Sequence, residues 1–238
     1  MSKELPVVKT EATIQDVIRA FAYAWLQLFN EIPKKESICI LLAQSALETG
    51  RWKSMHCWNF GNIKSVANDG RDYCYFACNE ELDPNYAKKV VANSNGLAKI
   101  TGYTVKGKAI VWLYRPHPGC KFRAFDTIEE GAIDHLSFIR YRYGKKAGVW
   151  DAVLKGDVVS YCQALSKNGY FTADVGGYTK SVSSIFREYM KNDLDLSSMP
   201  PASDAQMKRI SDLVQISMQD DMAEEVTTFK TIDPDENT

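Results

Sequence analysis

No stretch of the 238 residues comes near the roughly 18 consecutive apolar positions that cross a bilayer. The longest candidate, Ile38 to Ala46, is short and carries Gln44 and Ser45. No membrane span is expected. Glycine (14) and proline (8) are too few for a collagen-like chain, and no period recurs along the sequence, so repeat architectures are excluded. The start, Met1-Ser2-Lys3-Glu4-Leu5-Pro6, lacks a basic segment followed by an apolar one. The expectation is synthesis in a cytoplasm without a signal peptide, with any action outside depending on another delivery route. No CxxC pair occurs among the six cysteines, Cys39, Cys57, Cys74, Cys78, Cys120 and Cys162. Joined with His56 and His117, the four between 57 and 120 match no zinc spacing, so no metal or other cofactor is expected. A chain of this size does not require a disulfide.

What is present is ordinary globular material: 45 % hydrophobic and 25 % charged residues. Disorder throughout is excluded, and the length suits one sizeable core or one domain plus an appendage. The net charge of -1 hides an asymmetry. From residue 193 onward there are 11 acidic and 3 basic side chains, a net of -8, against +7 for residues 1–192. A basic body favours polyanionic partners. The acidic tail is expected to dock on a partner, a neighbouring subunit or that body. The division expected is 1–192 as the folded domain, then an acidic linker, helix and disordered tail over 193–238.

Helical periodicity dominates the body. Thr13 to Asn30 repeats Ile14, Val17, Ile18, Phe21, Trp25, Leu28 and Phe29 at helical spacing, with Thr10 or Thr13 as cap. Lys35 to Thr49 forms a second helix ending at Gly50. Between 57 and 125 the pattern changes: 72–78 is aromatic and strand-like, 109–114 is a second strand, and 82–108 is irregular with one short helix. Helices return from Thr127 (running through Phe138 and Ile139), over Val149 to Lys155, Val158 to Lys167 and Gly177 to Lys191. Residues 196–201 form a linker, and Ser203 caps a last helix bearing Met207, Ile210, Val214 and Met218. Helices flanking a small strand-rich lobe make an α+β arrangement with a cleft between lobes.

Glu48 is the sharpest chemical feature. It leaves an apolar helix in Gln44-Ser45-Ala46-Leu47-Glu48-Thr49-Gly50. Desolvation and the negative end of the helix dipole both favour its protonated form. A carboxyl group kept protonated near neutral pH suits a general acid for a poor leaving group such as a glycosidic oxygen. The same residue read without context is a surface Glu in a last turn.

The stretch from Ala43 through Glu48 to Ser54, followed by Trp58-Asn59-Phe60-Gly61-Asn62-Ile63-Lys64, resembles the signature of the bacterial cell-wall N-acetylglucosaminidases. These form family 73 of the glycoside hydrolases, which includes the flagellar muramidase domain. Phe122-Arg123-Ala124-Phe125-Asp126-Thr127 with Glu130-Gly131 and Asp134-His135 is similar to a second family block. Gly169-Tyr170-Phe171-Thr172-Ala173-Asp174 with Tyr178-Thr179-Lys180 is similar to a third. The blocks keep the family's order and cover most of residues 13–190. The insertion of Asn62 before Ile63-Lys64 and the long polar stretch 82–119 depart from its pattern and leave the lobe's shape open.

The resemblance implies a lysozyme-like α+β fold, mainly helical, with a substrate groove between lobes. It implies hydrolysis of the β-1,4 glycan of peptidoglycan with Glu48 as acid. The family's second carboxylate lies on the strand-rich lobe, where Glu80, Glu81 and Asp83 are the candidates and Glu80 or Glu81 is favoured. The substrate's own N-acetyl group is the alternative. Tyr170 matches a tyrosine lining the groove beside the acid. Trp52, Trp58 and Trp112 offer aromatic faces to sugars, and Asn59, Lys64 and Tyr178 are further substrate-binding candidates. A muramidase, a lytic transglycosylase and a non-catalytic wall-binding or virion protein are the competing readings. A nucleic-acid binder has no motif in its favour. A wall-cleaving enzyme without a signal peptide points to a bacteriophage endolysin released by a holin, or to a virion component.

Overall fold

The computed structural model describes residues 2–66, 70–144, 148–171, 174–192, 194, 196 and 204–223. Its fold is α+β, a helical body carrying a small strand-rich lobe. In the body, α1 (Ile14–Phe29) starts at Thr13, whose hydroxyl accepts from the Asp16 amide while the Asp16 carboxylate accepts from the Thr13 amide. That reciprocal pair satisfies two otherwise unpaired donors. Asn30, in the left-handed region, closes the helix. α2 (Lys35–Glu48) is buried from Ser37 to Ala46 and has no polar face over that run. It ends abruptly: the Arg51 amide reaches back to the Ala46 carbonyl, and Gly50, Arg51 and Trp52 all take positive φ. α4 (Ile128–Ser137) is capped by Thr127, α5 spans Val149–Lys155, α6 (Val158–Lys167) is capped by Asp157, and α7 spans Val175–Tyr189. α7 begins two residues before the expected Gly177, because Asp174 accepts from the Gly177 amide and so caps from outside.

The structure differs from expectation in three ways, two of them in the strand-rich lobe. The segment 72–78 is not one strand. It breaks at Phe76, whose amide bonds the Cys120 carbonyl, and gives β1 (Tyr73–Tyr75) and β2 (Cys78–Leu82) in separate sheets. The stretch 82–108 is ordered rather than irregular. Asp83 caps α3 (Pro84–Asn93), and β3 (Ala98–Tyr103) pairs with β4 (Ala109–Leu113), which sits between β2 and β3 in an antiparallel sheet. A short β5 (Lys121–Arg123) pairs with β1. Finally, the helix expected to run through Phe138 stops at Ser137 and continues as a π-helical turn over Phe138–Tyr143.

The main core joins α1, α2, α4, α5, α6 and α7 around Trp25, Ile38, Leu41, Leu42, Ile133 and Tyr161. A buried ion cluster ties the body to the start of the lobe. Asp134 on α4 takes the guanidinium groups of Arg71 and Arg123. Burial pushes the Asp134 carboxyl up, but Arg123 and Arg71 outweigh it and hold it below the ordinary range. α8 (Asp204–Ala223) packs on α4 and the π turn, and Ile210 and Leu213 enter the main core. Among the described residues its ion pairs reverse the expected polarity. Arg209, one of the tail's few cations, bonds Asp72, Asp126 and Glu130 of the body. The expected cap Ser203, most of the linker 196–201 and the final ten residues lie outside the described residues.

Candidate active site

Glu48 is the last residue of α2, where the helix meets a groove of about 270 Å³. Four pieces of chain line it: Glu48 itself, Gly61, Ile63, Lys64 and Val66 of the following loop, Phe138, Arg142 and Tyr143 of the π turn, and Tyr170. A π turn adds a residue to the helical circuit, and such turns are frequent at functional sites. Here it supplies three side chains to one wall.

Around the carboxyl group the contacts are specific. The Tyr178 hydroxyl donates to Glu48 Oε1 at 2.8 Å. Gln44, one helical turn before Glu48, donates from Nε2 to the Tyr170 hydroxyl. Burial raises the Glu48 pKa, and the hydrogen bonds from Tyr178 and Gln44 oppose that rise without cancelling it. Burial and the nearby Glu48 charge push the hydroxyls of Tyr170 and Tyr178 far above the ordinary tyrosine value, so both stay neutral donors. The Tyr178 ring stacks on Phe171 at 3.8 Å, which fixes its hydroxyl over the carboxylate. The arrangement keeps one carboxyl oxygen engaged and the group biased toward its acid form.

The other candidates separate clearly. Lys64 lines the groove, and its Nζ is bound to Glu80 Oε1 at 2.8 Å and to the Gly119 carbonyl, over the Phe122 ring. Glu80 thus connects to the groove through Lys64. Glu81, the next residue on β2, points to the opposite, exposed face, because strand side chains alternate. Asp83 spends its carboxylate on the amides of Asn85 and Tyr86 as the α3 cap. None of these three carboxylates lines the groove that holds Glu48.

Two expected sugar contacts are corrected. Trp52 is 3 % exposed, stacks on Tyr189 and donates Nε1–H to Ser45 Oγ, so its face is core and no sugar can reach it. Asn59 is 1 % exposed. Its amide nitrogen donates to the carbonyls of Ile63 and Arg123, and its oxygen accepts from the Ile63 amide. All its polar valences shape the loop that precedes Lys64, leaving none for substrate. Trp58 is half-buried against the main core and outside the groove lining. Trp112 lies on the outer face of β4, across from Asn79 and Lys99.

Gln44, Phe138, Arg142 and Tyr143 are groove or carboxyl contacts that sequence reasoning did not single out as site residues. Gln44 had a signal: a polar residue one turn before Glu48 in an otherwise apolar helix. The other three had none, since helical spacing extends only to Ile139 and the π turn after Ser137 sets their directions. Among the described residues no cluster of His, Cys, Asp and Glu could hold a metal ion. His56 stacks on Phe76, and His117 accepts from the Gly119 amide, so neither converges with the cysteines.

No family model and no curated protein matches this sequence. Among solved structures, the chain is similar to a C-terminally truncated glycoside hydrolase domain of FlgJ from Salmonella typhimurium, with 18 % identity and a TM-score of 0.43 over 75 % of this chain and 99 % of that one. It is also similar to a peptidoglycan hydrolase mutant from Sphingomonas sp. A1, with 18 % identity and a TM-score of 0.41 over 82 % of this chain and 99 % of that one.

Proposed function

We propose that the protein is a glycoside hydrolase that cuts the β-1,4 glycan of peptidoglycan at the bacterial cell wall, with N-acetylglucosaminidase specificity, and that Glu48 is its general acid. The observation that carries this reading is the Glu48 carboxyl group, raised in pKa by burial at a groove and bonded through Oε1 to the Tyr178 hydroxyl. With Oε1 engaged, the proton sits on Oε2. That oxygen protonates the glycosidic oxygen as the bond to the anomeric carbon breaks, and positive charge develops on the sugar ring. The neutral hydroxyls of Tyr170 and Tyr178 stay available to steady the carboxylate left behind.

Of the second-carboxylate candidates we favour Glu80, which Lys64 links to the groove wall. The same ion pair supports a second reading. With Glu80 held by Lys64 and outside the groove lining, the substrate's N-acetyl group, or an intramolecular hydroxyl as in a lytic transglycosylase, would capture the anomeric centre.

Digestion of purified peptidoglycan by wild type and Glu48→Gln, read by mass spectrometry, tests the proposal. Reducing-end N-acetylglucosamine from wild type alone supports it. Reducing-end N-acetylmuramic acid makes the protein a muramidase, and anhydro-sugar ends make it a transglycosylase. Wall binding with no fragments from wild type defeats the enzymatic reading.

A further inference from the structure

Four of the six cysteines lie in or beside the strand-rich lobe, and they lie there as two pairs. The Cys57 and Cys74 thiols are neighbours, both buried in one small cluster with Phe122 and Ala124, and the Cys57 thiol donates to the Pro6 carbonyl and accepts from the Val8 amide. The backbone holds them together from both sides: Cys74 on β1 faces Phe122 on β5, and the Cys57 carbonyl accepts from the Phe125 amide just beyond β5. The Cys78 and Cys120 thiols are likewise neighbours at the edge of the sheet's core, and the Cys78 thiol donates to the carbonyl of Gly119, the residue before Cys120, at 3.4 Å. The remaining two are placed differently. Cys39 is enclosed in the helical core, and Cys162 on α6 meets the Thr179 hydroxyl.

We propose that the lobe carries two disulfide sites, Cys57–Cys74 and Cys78–Cys120, which close by exchange with a disulfide oxidant. The inference stands on the thiol pairs alone, whatever bond the groove cleaves. The lobe has a physical use for the bridges. Its sheet buries mainly Ala87, Ala98, Ala109, Val111 and Leu113, a small core beside that of the helical body. Small cores gain most from cross-links.

The chemistry is a balanced exchange. The neighbouring Cys74 thiol and the Val8 amide both lower the Cys57 pKa, so Cys57 is the one of the pair that more readily gives the attacking thiolate. The Cys57 thiolate attacks one sulfur of the oxidant and expels the other as a thiolate, giving a mixed disulfide. Cys74 then loses its proton to that leaving thiolate and attacks the Cys57 sulfur. The oxidant leaves as two thiols, having taken two electrons and two protons. Cys78 and Cys120 follow the same course. The second bridge ties the strand bearing Glu80 to the turn whose Gly119 carbonyl holds Lys64, and so braces one wall of the groove.

The test uses the full chain, refolded from denaturant in a glutathione redox buffer so that every thiol meets the oxidant. Residual thiols are alkylated with iodoacetamide under denaturing conditions, and bridged peptides are mapped by mass spectrometry. The expected result is alkylation at Cys39 and Cys162 only, with peptides joined at Cys57–Cys74 and Cys78–Cys120, and a higher melting temperature than for the reduced chain. A Cys57→Ser, Cys74→Ser double variant should keep the Cys78–Cys120 bridge. A chain that stays fully reduced, or any other pairing such as Cys74–Cys78, overturns the proposal. Closure of one pair alone overturns it for the other.

Discussion

The Tyr178 hydroxyl donates to Glu48 Oε1 at 2.8 Å and so joins α7 to the last turn of α2, 130 residues earlier. This bond stabilises the carboxylate form and works against the burial that raises the Glu48 pKa. A general acid acts while protonated, so its rate falls as pH climbs through its pKa. Tyr178→Phe keeps the ring stack on Phe171 and removes only the donor. The descending limb of kcat/KM against pH, measured on soluble glycan fragments, should move to higher pH, with a loss of about tenfold or more at the optimum. A limb that stays in place or moves down would contradict the assigned role.

Glu48 should also cost stability. Its folded pKa lies above the ordinary glutamate value of 4.5, so the folded state holds the proton more tightly than the unfolded chain. Stability is undiminished below the unfolded value and declines as pH rises from there through the folded pKa. Glu48→Gln removes the charge and should melt about 1–3 °C above wild type at neutral pH, with the gain vanishing in acid. Melting curves across pH check this, and a variant that melts lower at neutral pH refutes it.

Asn59 is expected to act through the loop it braces. Asn59→Ala leaves the Ile63 amide and two carbonyls without their buried partner. The expected loss is about 2–4 kcal/mol in chemical denaturation. Unchanged stability with a raised KM would return Asn59 to the substrate-binding role.

Gly131 sits on α4 where the Trp58 carbonyl crosses it. A Cβ there would lie 2.0 Å from that oxygen. Gly131→Ala should therefore destabilise by about 3 kcal/mol or more, because backbone rather than a flexible side chain must move. Gly96→Ala is the contrast. Its φ is +83° but nothing lies within 4 Å, so only backbone strain of about 1 kcal/mol is expected. Equal effects from the two variants would contradict the close approach at Trp58.

Breaking the buried Arg71–Asp134–Arg123 cluster should be more severe still. Asp134→Asn leaves two enclosed guanidinium groups facing a neutral amide. The expected cost is about 3–5 kcal/mol, read from urea denaturation midpoints. Because the arginines hold the Asp134 pKa down, its contribution is present above the unfolded value near 3.8 and is lost as pH falls through the folded one. Wild type should thus lose stability in strong acid by a step that the variant lacks.

Legibility in the sequence followed the range of the interactions. α1, α2, α5 and α6 lie within a residue or two of where periodicity and capping residues place them, because a helix is closed by bonds four residues apart and capped by its neighbours. The lobe was harder to read. Strand β5 is three residues long and its partner β1 comes far earlier in the chain, while β3 pairs with the next strand, β4, across a register shift between Ile100 and Gly102 that interrupts its alternation. The π turn at Phe138–Tyr143 escaped for a related reason: its sequence carries the same apolar spacing as the α-helix before it.

The sequence by itself determined that Glu48 would end an apolar helix beside a cleft, since ten consecutive buried positions precede it from Ser37 to Ala46. Tertiary structure decided everything about its company. Trp52, Asn59 and Lys64 lie within sixteen residues of Glu48 and look alike as candidates, yet one is core, one is a loop brace and one is a groove cation. Their partners are Tyr189, Arg123 and Glu80, each in a different element of the fold. In an irregular loop no repeat sets the direction of a side chain, so contacts with remote segments must do it.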